Sequence, residues 1–198
     1  MEYIYISIYA GAASKDVTQR VEWMTSDNSK KTRLMEILNQ DPAPFIVFAN
    51  SKKQCDHLAK YVESHGISAT VLHSGKIQDQ REANLAGFKA GDYDVLVATD
   101  VVGRGIDISG VEQVINFELP KTIDKYTHRI GRTGRAGRKG VATSFLTNED
   151  GDIMFDLKEM LVASNNMVCR ELANDERSRE KPGAVKNRGM GRSGTIFS

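Results

Sequence analysis

Cysteine is scarce in this chain. Cys55 and Cys169 are the only two in 198 residues, too few for a disulfide framework or a zinc site. A reducing compartment is the default for such a composition. An excess of one charge is also missing. Lys and Arg number 27 against 26 Asp and Glu, a net charge of +1. Any nucleic-acid surface must therefore be a local patch. No apolar run approaches the length needed to span a membrane. The opening Met1 to Tyr9 lacks the basic start of a signal peptide. A phosphate loop of the form Gly-x-x-x-x-Gly-Lys followed by Ser or Thr occurs nowhere, which excludes a self-contained site of that kind. What is present is an ordinary globular mixture, 40% hydrophobic and 27% charged, long enough for one large domain.

Taken in order, Ile4, Ile6 and Ile8 alternate with Tyr3, Tyr5, Ser7 and Tyr9 as a strand or extended arm. Val17 to Met24 is a second extended piece. Residues 1–24 are expected to lead into the domain as a linker. Asn28 or Ser29 can cap a helix through Asn39, ended by Pro42 and Pro44. A repeating pattern then begins. Phe45-Ile46-Val47-Phe48-Ala49 is continuously apolar, as expected of a strand buried on both faces. Ser51 caps a helix from Lys52 to Ser64. Strands at Ala69 to Leu72, Asp94 to Ala98, Val111 to Phe117 and Gly140 to Leu146 alternate with helices at Gln78 to Phe88, Thr122 to Ile130 and Asp150 to Ala163.

This alternation predicts an α/β fold with a mostly parallel sheet flanked by helices on both faces. Residues 25–165 form the domain. Residues 166–198 are a C-terminal extension, expected to be a mobile basic tail from Lys181, with Lys186, Arg188 and Arg192 and no acidic residue. Trp23 is expected to pack, His57 and His65 to lie on the surface, and Cys55, Met24, Met35, Met154 and Met160 to fill the core.

In such sheets, ligands bind beyond the carboxyl ends of the strands. Polar clusters follow three of them: Asn50 to Lys52, His73 to Lys76 and Thr99 to Asp107. The most concentrated chemistry is His128-Arg129-Ile130-Gly131-Arg132-Thr133-Gly134-Arg135. Its arginines are permanently charged forks suited to phosphate. Gly131 and Gly134 leave backbone open to approach by a ligand. Alone, such a stretch reads first as a solvated basic loop, the usual fate of a charge cluster.

Together the segments are specific. ATDVVGRGID (residues 98–107), followed by HRIGRTGRAG from His128, resembles the C-terminal RecA-like domain of the DEAD-box RNA helicases. FIVFANSKK from Phe45, and LHSGK from Leu72 followed by QDQRE from Gln78, match two further motifs of that domain in the same order. The resemblance runs from about Val21 to Phe155 by motif order. His128 and RGID set the chain apart from the DEAH group, which usually has Gln at the first position and lacks the second. LHSGKIQDQRE, ELAN from Glu171 with Lys181-Pro182-Gly183, and the final Thr195-Ile196-Phe197 are similar to the branch of the family that acts in pre-mRNA splicing with the U5 snRNP.

The resemblance implies a RecA-like three-layer domain and an ATP-dependent RNA helicase. Arg132 and Arg135 match arginines that reach the ATP phosphates. Gly105 and Asp107 match the ribose site, and His128 and Arg104 match positions that couple two domains around the hydrolytic water. Arg129 is read as structural, pointing away from Arg132. Ser51, Gly75, Gln78, Arg81 and Thr99 match contacts to the sugar–phosphate backbone of single-stranded RNA, with amides at the helix starts near Lys52 and Gln78 adding donors.

Asp-Glu-Ala-Asp is absent, like the phosphate loop. Both belong to the family's N-terminal RecA-like domain, which holds most of the ATP and its Mg2+. The chain is therefore expected to be a fragment, monomeric and inactive alone, with RNA, that other domain and U5 snRNP proteins as partners in the nucleus. It carries no metal site and no membrane contact on this reading. Ser74 stands where the family usually has Gly, so its Cβ is expected to disfavour positive φ or crowd a phosphate. Val102-Gly103 replaces the commoner Ala-Ala, Ala-Ser or Ala-Gly. Two readings stay beside this one: a DEAD-box helicase of general mRNA or ribosome-assembly metabolism, in the cytoplasm or nucleolus, and a non-catalytic binding module of the same fold.

Overall fold

The structure is a computed structural model that describes residues 16–100, 108, 111–134 and 138–181. The expected strand at 3–9, the tail beyond Lys181, and Arg104, Gly105, Asp107 and Arg135 lie outside the described residues. The elements are β1 (Val17–Trp23), α1 (Asp27–Gln40), β2 (Phe45–Phe48), α2 (Lys52–Ser64), β3 (Ala69–Leu72), α3 (Gln78–Ala90), β4 (Val95–Ala98), β5 (Gln113–Asn116), α4 (Ile123–Ile130), β6 (Gly140–Leu146), α5 (Gly151–Ala163) and α6 (Arg170–Asn174), then a 3-10 turn at Glu176–Ser178.

Among the described residues six strands form one parallel sheet, in the order β1-β6-β5-β2-β4-β3. The apolar runs explain why. β2, β3, β4 and β5 are buried at every position, which requires helices on both faces. Side chains alternate between two cores as a pleated strand demands. Phe45, Val47, Val95, Val97 and Ile115 join the α1 and α2 residues. Ile46, Phe48, Leu96, Ala98 and Val114 join the α3, α4 and α5 residues. The helices present matching stripes, such as Cys55, Leu58, Ala59 and Val62 on α2, spaced i, i+3, i+4, i+7. Burial pushes the Cys55 thiol up to about 12, so it is core and not a nucleophile.

Several boundaries differ from the sequence reading. Ser26 caps α1: its Oγ accepts from Ser29 N, and Ser26 N in turn donates to Ser29 Oγ. Ser29 is thus the third residue of a capping box rather than the cap. Residues 17–23 are a strand of the sheet, paired over their full length with β6. Residues 170–178 also pack: Leu172 is fully buried and Ser178 is 1% exposed.

Arg177 anchors this last segment. It donates to Asn148 O and Oδ1 at 2.7 and 2.6 Å and to both oxygens of Asp175. The bonds from Arg177 hold the Asp175 carboxyl at about 2, below its ordinary 3.8. A carboxylate whose folded pKa is depressed stabilises the fold above its unfolded pKa and loses that contribution as pH falls. The docking of residues 170–178 should therefore be intact above pH 4 and weaken between about pH 4 and 2. Amide exchange of these residues against pH checks it. Protection that falls in Arg177→Ala already at neutral pH, and no longer responds to acid, is the expected control.

Candidate ATP and RNA edge of the sheet

The parallel topology puts the carboxyl ends of β2, β4 and β5 side by side, and one arginine ties them together. Arg129, on the last turn of α4, is 2% exposed. Its guanidinium forks onto Asp100, just past β4, with Nε–Oδ1 at 2.5 Å and Nη2–Oδ2 at 2.9 Å. Nη2 also donates to Asn50 Oδ1, just past β2, at 2.8 Å. Nη1 donates to Glu118 O, just past β5, at 2.7 Å. The flat face lies 5.1 Å from the centre of the Phe48 ring, a cation–π distance. Asn50 completes the clasp by taking Glu118 Oε2 on its N–H and donating Nδ2 to Leu119 O. A buried guanidinium is tolerable only when its donors are met, and here the met donors bridge the ends of three strands.

His128 and Arg132 leave the same helix end in another direction. The face Ile123, Tyr126, Thr127 and Ile130 is buried, so His128 is left exposed at its edge. Arg132 is half-buried and donates Nε to His128 O at 3.2 Å. Together with Lys125, Asp100 and Arg129 they line a cleft of 380 Å³ floored by Phe48. The cleft is cationic on its α4 side, suited to an anion.

The two glycines of the stretch also have a reason in the fold. Gly134 has φ +64°, and a Cβ there would fall 2.5 Å from Val17 Cγ2 and 3.0 Å from Asp16 O. Gly131 ends α4, where a Cβ would sit 3.1 Å from Thr127 O. Close approach to β1 and to the preceding turn accounts for both.

The remaining sequence candidates line the same edge. Ser51 caps α2, its hydroxyl accepting from Gln54 N at 3.1 Å. Gly75 is exposed in the loop after β3. Gln78 opens α3, whose cap residue Ile77 supplies no side-chain bond, leaving first-turn amides to another partner. Arg81 donates to Gln78 Oε1 at 3.1 Å. Among the described residues, two buried side-chain atoms have no hydrogen-bond partner: Arg81 Nε and Thr99 Oγ1. Buried polar atoms are rarely left unmet; both belong to residues expected at RNA. Ser74 raises no backbone conflict, because Asn165 is the one described non-glycine residue with positive φ.

With this geometry the comparisons are decisive. The model of the helicase conserved C-terminal domain matches residues 29–137. The chain belongs to the DEAD-box RNA helicases. It is similar to DEAD-box ATP-dependent RNA helicase 21 of Oryza sativa subsp. japonica, 53% identical over 96% of this chain and 26% of the relative. It is 49% identical to the pre-mRNA-splicing ATP-dependent RNA helicase PRP28 of Chaetomium globosum, over 87% of this chain and 25% of the relative. Among solved structures, the RNA-helicase Prp28 from Chaetomium thermophilum bound to ADP superposes with a TM-score of 0.72 at 48% identity, over 80% of this chain and 40% of the other. The chain thus spans about a quarter of the length of the curated relatives it matches. The helicase domain has the expected RecA-like α/β fold.

The sequence reading missed the partners of Arg129 in this helicase domain. Asn50 and Asp100 each follow a buried strand directly, the one signal that could have singled them out.

Proposed function

We propose that this domain is the second, nucleotide- and RNA-engaging half of an ATP-dependent RNA helicase that acts in pre-mRNA splicing in the nucleus. The observation that carries the reading is the position of Arg132 and His128 beside a cationic cleft on the same sheet edge as Ser51, Gly75, Arg81 and Thr99. Arg132 and Arg135 are assigned to the ATP phosphates across an interdomain cleft, Gly105 and Asp107 to the ribose, and His128 and Arg104 to coupling of the two domains. The arginines add charge where the transferred phosphoryl carries it, and phosphoryl transfer is catalysed mainly by such placement. The phosphate loop and the Mg2+ would belong to the other domain, because the chain has no such loop.

Ser51, Gly75, Gln78, Arg81 and Thr99 are assigned to RNA sugar and phosphate. Such contacts hold a strand without reading its sequence, so choice of target would fall to partners such as U5 snRNP proteins. The relatives named for pre-mRNA splicing support that setting.

Arg81→Ala in the full-length protein tests the RNA assignment. Loss of one charge-assisted bond should raise the KM for RNA about tenfold. The dependence of log affinity on log salt should flatten by about 1, while kcat at saturating RNA changes little. An unchanged KM and salt slope would contradict the assignment.

A further inference from the structure

Behind the loop that follows β3 sits a bracket of side chains that none of the assignments above uses. His73 is 3% exposed, and both ring nitrogens are engaged. Nδ1 is 3.1 Å from Gly75 N, and Nε2 is 3.2 Å from Asp56 Oδ1. A backbone amide can only donate, so Nδ1 accepts, and the proton of the neutral ring lies on Nε2, donated to Asp56. Lys76 Nζ meets the same Asp56 oxygen at 3.1 Å, and Lys76 N donates to His73 O at 3.2 Å. Residues 73–76 are thus folded back onto one ring, and Asp56 fastens that ring to α2. Partial burial works against ionisation of Asp56, but the bonds from His73 and Lys76 outweigh it and hold its carboxyl below the ordinary value.

The packing is equally tight. A Cβ at Gly75 would lie 3.0 Å from His73 Nδ1 and 3.2 Å from Lys52 Cδ. A side chain at Gly75 would therefore press on the imidazole and on the Lys52 side chain of α2. Asp56 lies on the helix that Ser51 caps. Two points assigned to the RNA backbone, Ser51 and Gly75, are joined through one rigid helix, one carboxylate and one imidazole.

We propose that His73 is a positioning residue for RNA: Nδ1 sets the Gly75 backbone, and the Nε2–Asp56 link fixes the spacing between the Gly75 loop and the Ser51 end of α2. The inference rests on the reading of those two residues as RNA contacts. Two backbone contacts engage one strand together only when the protein holds them at a separation that the strand's phosphates can span. Without the imidazole the Gly75 amide would lose its acceptor and the loop its tie to α2. RNA would then have to order the loop as it binds, and that cost would appear as weaker affinity.

The test uses the full-length protein and single-stranded oligo-uridine RNA, with a non-hydrolysable ATP analogue present. His73→Asn puts an oxygen near the place of Nδ1, able to accept from the amide two residues on as in an Asx turn, but too short to reach Asp56. His73→Gln reaches toward Asp56 and leaves Gly75 N–H without its acceptor. His73→Leu removes both bonds. His73→Leu should weaken RNA binding about tenfold, the scale of a lost hydrogen bond at a charged ligand. His73→Asn should recover most of that loss and His73→Gln less, with kcat at saturating RNA unchanged in all three. If His73→Leu fails to fold, the ranking of the Asn and Gln variants decides. Equal affinities in the Asn and Gln variants, or affinities that merely follow Tm, would overturn the proposal. Arg81→Ala, measured alongside, separates the two claims. If it weakens RNA binding and the His73 series does not, the bracket is structural only. If neither changes binding, the RNA reading of this face fails with it.

Discussion

Arg132→Ala in the full-length protein is expected to cut RNA-stimulated ATP turnover by about 10³-fold or more, the range attributed to an arginine finger. Arg132 stands at the end of α4, half-buried, beside a cleft that also takes in His128 and Lys125. Its Nε is held by the His128 carbonyl, which orients the fork. A loss of this size in kcat corresponds to about 4 kcal/mol of transition-state stabilisation. The same change should leave stability within about 0.5 kcal/mol, as expected for a partly exposed position away from the core. RNA affinity should be largely kept. Arg132→Lys should recover little, because a lysine offers a point charge in place of a planar fork. Steady-state ATPase with saturating RNA, read beside a melting curve, checks all three. An unaltered kcat would favour a binding module that kept the fold without the chemistry.

Three residues earlier the expectation reverses. Arg129→Ala should cost about 3 kcal/mol of folding stability, the lower part of the range for breaking a buried ion pair from one side. The lower part applies because Asp100, at 31% side-chain exposure, can recover some solvation. The variant also removes the donor that Asn50 Oδ1 and Glu118 O now accept from, and because Asn50 is exposed and Glu118 half-buried, water can meet part of that loss. Arg129→Lys keeps the charge but meets fewer partners, so its loss should fall in between. Denaturant unfolding of the 198-residue chain measures both, provided the m-value is unchanged. A shift within about 0.5 kcal/mol, ordinary for a surface site, would mean that the clasp across β2, β4 and β5 does not hold these strand ends together. The two arginines thus part company: one is read through rate at constant stability, the other through stability first.

The strands were legible because apolar runs such as Phe45 to Ala49 leave no polar face, and the helices because Cys55, Leu58, Ala59 and Val62 repeat at helical spacing. Ser51 was readable as a cap, since a hydroxyl just before a periodic stretch has one local use. Ser26 was not, because Asn28 and Ser29 offer the same chemistry two and three residues on. The strand order was beyond the sequence. That β4 lies between β2 and β3 is a pairing of separate segments that no local pattern records. That Val17 to Trp23 joins β6 depends on a partner more than 100 residues away.

The site was half legible for the same reason. Arg129 was read as structural, but helical spacing does not separate it from Arg132 three residues on; α4 ends at Ile130, between the two. What Arg129 would meet was not legible. Its partners come from three other segments, up to 79 residues distant. His73 was visible only as part of a polar cluster at a strand end. Its burial and its two engaged nitrogens arise from α2, which no local pattern around His73 describes.

The central claim is that this domain holds half of a catalytic site. RNA-stimulated ATP hydrolysis, measured on the 198-residue chain alone and again when it is joined to a domain carrying the phosphate loop, tests that most directly. The account predicts no measurable turnover from the chain alone and turnover restored in the joined protein, lost again on Arg132→Ala. Robust ATP hydrolysis by the isolated chain would contradict it.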